Sequence, residues 1–594
     1  MNNYNPYIDK FLKIYSQSLI STGNTRGYDE ETYIETQLDK NLIPRIFNPA
    51  TKLVVLTGNA GDGKTAFIQK VENLAEERSA HFHKRTDNGC SFSLNGIAYE
   101  TLYDGSQDFQ GKNNEDVLIE FFKPLEGDKE PKAAFTKIIA INEGKLRDFI
   151  LNNRKYIWLG KRVYHYLEDA EYQLSESLVF INLNLRAVIN DHDSNSIVDF
   201  LLDKFLDKVE NPKGIWDYCN QEKCAYADRC YIKYNIDTFN NTEKGHEVKK
   251  RLKTILLAVH LKQAKHITMR DIRSVLSFVL FNKYNCIQMQ QHLDDGKEII
   301  DRFYYNNIFN AEEKDRILQL LAKLDVAAVC NPKLDNFLYF TSPSSSEFNE
   351  LLNHSPGSPR TDIEHLQKFY EDKPEGTQDD DEGKKKNATI YHHSIRRKLL
   401  FEGNDEKMQS KLMSGWRDLL PYRSKNFSLF EYFLQTGNDH NNELRNAITL
   451  AISKSERIYN DLVGSENLCI RSVNSTSSNT KAFYGFSAAD FKVEVLHIGQ
   501  QNNYIEFYPS SLVFKHIDGS AELEISLDLF EILMRIKEGY VPTSSEIKTF
   551  FLNLEMFKRR VITKNSESVF LTEDDTNLFK LERSAGNKVV MTRA

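Results

Sequence analysis

Seven cysteines in 594 residues are too few for a disulfide framework, which excludes the small stapled scaffolds of secreted proteins. No uninterrupted apolar run is long enough to cross a bilayer. The opening MNNYNPYIDKFLKIY has no basic segment followed by an apolar stretch, so it does not read as a secretory signal. Positive charge is not in excess either: 77 Lys and Arg stand against 85 Asp and Glu, a net charge of −8. The chain is therefore no polycation, and any contact with nucleic acid must come from a local patch or through a partner. No internal repeat is visible, and no Ser-His-Asp, nuclease-like or protease-like constellation stands out. These absences leave a cytoplasmic chain with reduced thiols and no membrane association as the expectation.

What is there reads as globular. Hydrophobic residues make up 40% and charged residues 27%, ordinary values for a folded chain, and the length exceeds what one core can serve. Residues 1–44 form a helical lead-in. The apolar, β-branched run TKLVVLTG then predicts a buried strand, a glycine-rich turn and a helix over Thr65–Glu77. Further buried strands are predicted at Ile97–Tyr103, Thr136–Ile141 and Leu178–Leu183. Strands alternating with helices imply an α/β core with a parallel sheet over residues 45–200. Residues 201–335 read as a helical lid, with a helix at Thr268–Phe281 opened by the capping pair Thr268 and Asp271. Residues 336–387 form a linker, in which the charged run Glu371–Lys386 is expected to be disordered. A helical region follows at 388–465 and a β-rich domain at 466–594. In that last domain Phe491–Val495 is expected to pair with Tyr504–Tyr508, Asp518-Gly519 to turn a hairpin, and Leu527–Glu538 to form a helix stopped by Gly539.

The sharpest motif is GNAGDGKT, comprising Gly58, Asn59, Ala60, Gly61, Asp62, Gly63, Lys64 and Thr65, with Ala66 behind it. It fits the phosphate-loop pattern in full, between a strand and a helix as the chemistry requires. Glycines let successive N–H groups turn inward onto a polyanion at a helix N-terminus. Lys64 offers a mobile charge to β- and γ-phosphates, and the Thr65 hydroxyl can ligate magnesium. ATP with Mg2+ is the expected ligand. Asp62 is unusual in such a loop and is expected to point outward.

Phosphoryl transfer also needs a second magnesium carboxylate and a group that orients water. Asp104, at the end of one predicted strand, suits the metal, although Gly105 stands where a glutamate commonly follows. After the next strand Asn142 suits a γ-phosphate sensor and Glu143 a base for water. The alternative is that both clusters simply end strands, where Asp, Asn and Gly are common. Arg147, Arg186, Arg270 and Arg273 are candidate phosphate-facing arginines, with surface positions the plainer reading. Cys219, Cys224 and Cys230 fall within twelve residues and could hold a structural Zn2+, with Cys90, His246 or another distant residue as a fourth ligand. Reduced thiols packed around Trp216 and Tyr218 are the other reading. The basic stretch His392–Arg397 could touch nucleic-acid phosphate or form a solvated helix start.

Taken in order, GNAGDGKT, YDGS, IIAINEGKL, FINLNLR, the cysteine cluster after Trp216 and HITMRDIRSVLSFVLF resemble the DptF-type ATPases of bacterial DNA phosphorothioation-dependent restriction systems. The likeness covers residues 30–285, with weaker echoes at Arg396–Glu402 and Leu529–Tyr540. It implies an AAA+-like ATPase in an anti-phage defence complex. The implied partners are a second ATPase or helicase-like subunit and a DNA-acting subunit, with DNA met directly or through them. Carried over by motif, Gly58–Thr65 would bind ATP, Asp104 the metal and Asn142 the γ-phosphate. A nucleotide-dependent scaffold with little hydrolysis, possessing the same loop, is the competing expectation.

Overall fold

In the computed structural model the described residues are 4–594, except 20–32, 169–174, 190–195, 207–213, 242–243, 264–265, 311–313, 329–330, 354–358, 375–380, 412–424, 473–479, 497–502, 565, 567, 574–576 and 585–587. The chain divides into two compact units. The first comprises residues 1–259, 266–416 and 498–508, and the second residues 260–265, 417–497 and 509–594. No described helix is long and apolar enough to cross a membrane.

The first unit is built on a six-stranded sheet in the order β2-β3-β4-β5-β1-β6. Its strands are β1 (Leu53–Thr57), β2 (His81–Thr86), β3 (Gly89–Leu94), β4 (Ile97–Leu102), β5 (Phe135–Ala140) and β6 (Leu178–Asn182). Strands β4, β5, β1 and β6 run parallel, whereas β2, β3 and β4 form an antiparallel meander. The mainly parallel α/β sheet matches the expectation. The meander does not: its polar β2, HFHKRT, is largely exposed and carries no buried-strand pattern.

Burial explains the central strand. All of Leu53–Thr57 is buried, and alternate side chains serve opposite faces. Val54 and Leu56 meet Phe67, Ile68 and Val71 of α2 (Lys64–Glu77) on one side. Leu53 and Val55 belong to a core on the other side. That core is filled by Phe121 and Phe122 of α3 (Asn114–Phe122), Leu146 and Phe149 of α4 (Glu143–Asn152), and Leu159 and Val163 of α5 (Ile157–Glu168). Two covered faces are why these strands read as continuous apolar runs.

Helices complete the first unit. They include α6 (Tyr231–Asn240), α7 (Lys244–Gln263), whose last residues belong to the second unit, α8 (Met269–Phe281), α9 (Cys286–Asp294), α10 (Thr361–Glu371) and α11 (Glu382–Glu402). Thr268 caps α8 with the expected Asp271 box, and Ile272, Val275, Leu276 and Val279 are buried along it. The charged run Glu371–Lys386 needs correction. Asp381 caps α11, so Glu382–Lys386 are helical, while residues 375–380 lie outside the described residues. A good N-cap and straight-chain lysines favour helix where composition alone suggested none.

The second unit carries two antiparallel sheets, one of three strands in the order β11-β10-β9 and one that joins β14 (Lys588–Arg593), β13 (Phe579–Ser584), β12 (Ser568–Thr572), β8 (Lys481–Ser487) and β7 (Asn467–Arg471) in that order. The first joins β9 (Phe491–Val495), β10 (Ser511–His516) and β11 (Glu522–Ser526). Gly519, at φ +74°, turns the expected hairpin between β10 and β11. Helix α12 (Leu527–Lys537) follows and stops before Gly539 at φ +99°. The expected pairing of Phe491–Val495 with Tyr504–Tyr508 is overturned: β9 pairs with β10. Residues 503–508 instead belong to the first unit, where Ile505 enters the core beside α2 and the Glu506 carbonyl accepts the Ala187 N–H at 2.7 Å. The aromatic pattern there marks an apolar plug, not a strand.

Candidate functional site

The GNAGDGKT loop joins the C-terminal end of β1 to the first residue of α2. Gly58, Gly61 and Gly63 lie at φ +138°, +105° and +86°, backbone that other residues reach only with strain. Gly61 is also constrained by space, since a Cβ there would stand 2.9 Å from Thr268 Oγ1 and 3.0 Å from Arg270 Cβ. The segment leading into α8 thus packs against the loop, and Arg270 N–H donates to the Gly61 carbonyl at 3.1 Å.

Lys64 folds back on the loop, donating to the carbonyls of Gly58 at 2.8 Å and Asn59 at 2.7 Å. Burial lowers its ammonium below the usual value, and Asp62 and Asp104 oppose that shift. Thr65 and Ala66 are half-buried in the first turn of α2. Asp62 does not point outward. It is 2% exposed, and its Oδ1 meets His266 Nε2 at 2.6 Å.

One strand separates β1 from β4, so Asn142 at the end of β5 stands between the loop and Asp104. Hydrogen bonds join these strand ends. Asp104 Oδ1 accepts the Ser106 N–H at 2.8 Å, and Ser106 Oγ accepts the Asn142 N–H at 3.0 Å. Asn142 caps α4 through the Gly144 N–H, which engages its side-chain oxygen. Gly105 has a packing reason: a Cβ there would lie 2.8 Å from Ile139 Cδ1. The position after Asp104 cannot hold a glutamate without displacing the core.

Glu143 accepts a hydrogen bond from Asn182 Nδ2 at 3.2 Å. Two residues on, Asn184 Oδ1 accepts the Asn59 N–H at 3.0 Å. A single turn after β6 therefore touches both the loop and the candidate base. Asn182, Asn184, Ser106 and His266 carry no motif of their own. Their signal is position, at or just beyond the strand ends and helix start that bound the loop. Of the arginines, Arg147 is exposed. Arg186 is buried, donates to the Asp62 carbonyl at 3.2 Å and faces Glu506 at 3.6 Å. Arg270 acts electrostatically on Lys64, which places it on the loop side of α8.

Away from the loop, Cys219, Cys224 and Cys230 gather with Cys286, the first residue of α9. Cys286 is a distant residue that the sequence reading did not name. Cys90 is elsewhere, on β3, with its N–H on Thr101 Oγ1. Asn5 Nδ2 donates to Cys219 Sγ at 3.4 Å. Burial raises Cys219 and Cys230 above the usual thiol range and pushes Cys286 up to about 11, as expected of neutral packed thiols. Among the described residues no group of three or more His, Cys, Asp or Glu side chains is placed to hold a metal ion. A magnesium site completed by phosphate oxygens is not such a group, because Thr65 and Asp104 would supply only part of its six oxygens.

The basic stretch at His392–Arg397 is also used internally. Arg396 pairs with Asp335 and Arg397 with Asp325, so neither guanidinium forms an open phosphate patch. Comparison with family models, curated proteins and solved structures finds no match.

Proposed function

We propose that the chain binds ATP with magnesium at Gly58–Thr65 as a P-loop, AAA+-like ATPase. The observation that carries this reading is the loop itself, which has three left-handed glycines and a lysine at the junction of a buried central strand and a helix N-terminus. Loop amides and the helix terminus would take the phosphates. Lys64 would exchange two carbonyls for phosphate oxygens. Thr65 and Asp104 would hold magnesium, which supplies charge neutralisation at the transferred phosphate. Asn142 faces the γ-phosphate in this reading and Glu143 orients water. The place in a phosphorothioation-dependent anti-phage complex, with DNA and partner subunits, rests on the motif resemblance alone.

A second reading is a nucleotide-dependent scaffold with little hydrolysis. Gly105, where a Cβ would press on Ile139 Cδ1 in place of a carboxylate beside Asp104, favours it. Steady-state ATPase assays on the wild type and Lys64→Ala, with and without DNA, separate the two. Turnover that DNA raises and the substitution removes supports the ATPase. Magnesium-dependent binding without turnover supports the scaffold, and no binding of ATP or GTP overturns both.

A further inference from the structure

Asp62 poses an electrostatic problem. It lies inside the loop proposed to hold a polyanion, its carboxylate is buried, and Oδ2 would sit 2.7 Å from a Cβ built on Gly58. Like charges brought together away from water repel strongly. The neighbouring cations do not answer this charge directly. Lys64 donates to carbonyls, and Arg186 binds the carbonyl of Asp62 rather than its carboxylate. The group that meets the carboxylate is His266, at 2.6 Å. Both members are largely buried, and among the described residues Asp62 Oδ2 and His266 Nδ1 have no hydrogen-bond partner. The pair is therefore built around one contact.

We propose that His266 is a positioning residue that holds the Asp62 carboxylate and so lets the Gly58–Thr65 loop accept a phosphate chain. The proposal rests on the nucleotide reading above. Without this contact the carboxylate stands unanswered inside the loop. The charged groups facing the pair are Lys64 on α2, Arg186 beyond β6, and Arg270 at the start of α8. Arg316 donates to the His266 carbonyl and pairs with Asp271. The same contact fixes the approach to α8 beside the Arg270–Gly61 hydrogen bond, so the loop and α8 respond together.

Magnesium-ATP binding to the full chain, measured by calorimetry, tests this. His266→Ala should bind at least about tenfold more weakly than wild type. Adding Asp62→Asn, which removes the charge that needs an answer, should recover most of that loss. Recovery identifies charge cancellation, because a purely structural His266 would not be rescued by a second substitution. A double variant no better than His266→Ala overturns the clasp while the nucleotide reading stands. A wild type that binds no nucleotide overturns both. Thermal unfolding of each variant separates loss of binding from loss of fold.

Discussion

Two lysines in the first unit show how differently the same side chain is used. Lys64 is half-buried and bonded to two loop carbonyls, acceptors that a phosphate can replace without leaving a charge unpaired. Lys398 is buried on α11 with two carboxylates, Asp362 at 2.6 Å and Glu402 at 2.7 Å, and also donates to Tyr234 Oη at 2.8 Å. Glu402 in turn pairs with Lys244 at 2.5 Å and accepts from Tyr234 and Tyr304. Burial alone would lower Lys398, but Asp362 and Glu402 together hold it above its ordinary value. The first lysine belongs to a network with a replaceable part. The second belongs to a charge-balanced one that joins α6, α7, α10 and α11. An ionic cluster is a site candidate when its partners can be exchanged, and an internal tie when they cannot.

The contrast breaks first at Glu402. Removing one partner of a buried ion pair strands the other's charge, at a cost of about 3–5 kcal/mol. Glu402→Ala should lower the urea-unfolding free energy by that amount, and an unchanged midpoint would erase the distinction drawn here. Burial pushes the Glu402 carboxyl upward, but Lys244 and Lys398 outweigh it and hold the group well below the usual range. A depressed folded value means the contribution is complete above the unfolded value near about 4.3. It is lost as pH falls below that value. Acid unfolding of the wild type should therefore steepen below about pH 4, and Glu402→Gln should flatten that limb.

Lys64→Ala is the complementary case. Under the ATPase reading, loss of this charge at the phosphates should cost about 10²- to 10³-fold in turnover, while the urea-unfolding free energy moves by less than about 0.5 kcal/mol. Glu143→Gln sharpens the site further. If Glu143 orients water, turnover should fall about 10²-fold with magnesium-ATP affinity retained, measured side by side on the same preparations. Equal turnover in wild type and Glu143→Gln would remove Glu143 from the chemistry and leave its bond to Asn182 as a structural contact.

Legibility in the sequence follows the same division. The loop, β1 and the capped start of α8 were readable because each depends on local rules: burial on both faces, glycine dihedrals, and a capping pair three residues apart. The partner groups were readable only as strand ends. Which strand end adjoins the loop is set by sheet order, and nothing in Asp104, Asn142 or Asn182 encodes that order. Asp62 was misread because its environment comes from His266, some two hundred residues away. The plug at 503–508 was misread because period-two apolar spacing describes a strand and a plug equally well. The His392–Arg397 stretch read as a basic helix start because the acids that pair its arginines, Asp335 and Asp325, lie elsewhere in the chain.

Gly105 offers the smallest effect and bears on why the acidic pair is absent. A Cβ at this position would press on Ile139 Cδ1 at 2.8 Å and Leu118 Cδ2 at 3.2 Å, both in the core beneath β4 and β5. Overpacking of this kind costs about 1–3 kcal/mol. Gly105→Ala should therefore lower the unfolding free energy within that range, and relief by Ile139→Val in the double variant would trace the cost to this contact. The missing glutamate would then be a consequence of packing, with Ile139 filling the space its side chain would need. Should Gly105→Ala prove neutral, the core yields at that point, and steric exclusion no longer explains why Asp104 lacks an acidic neighbour.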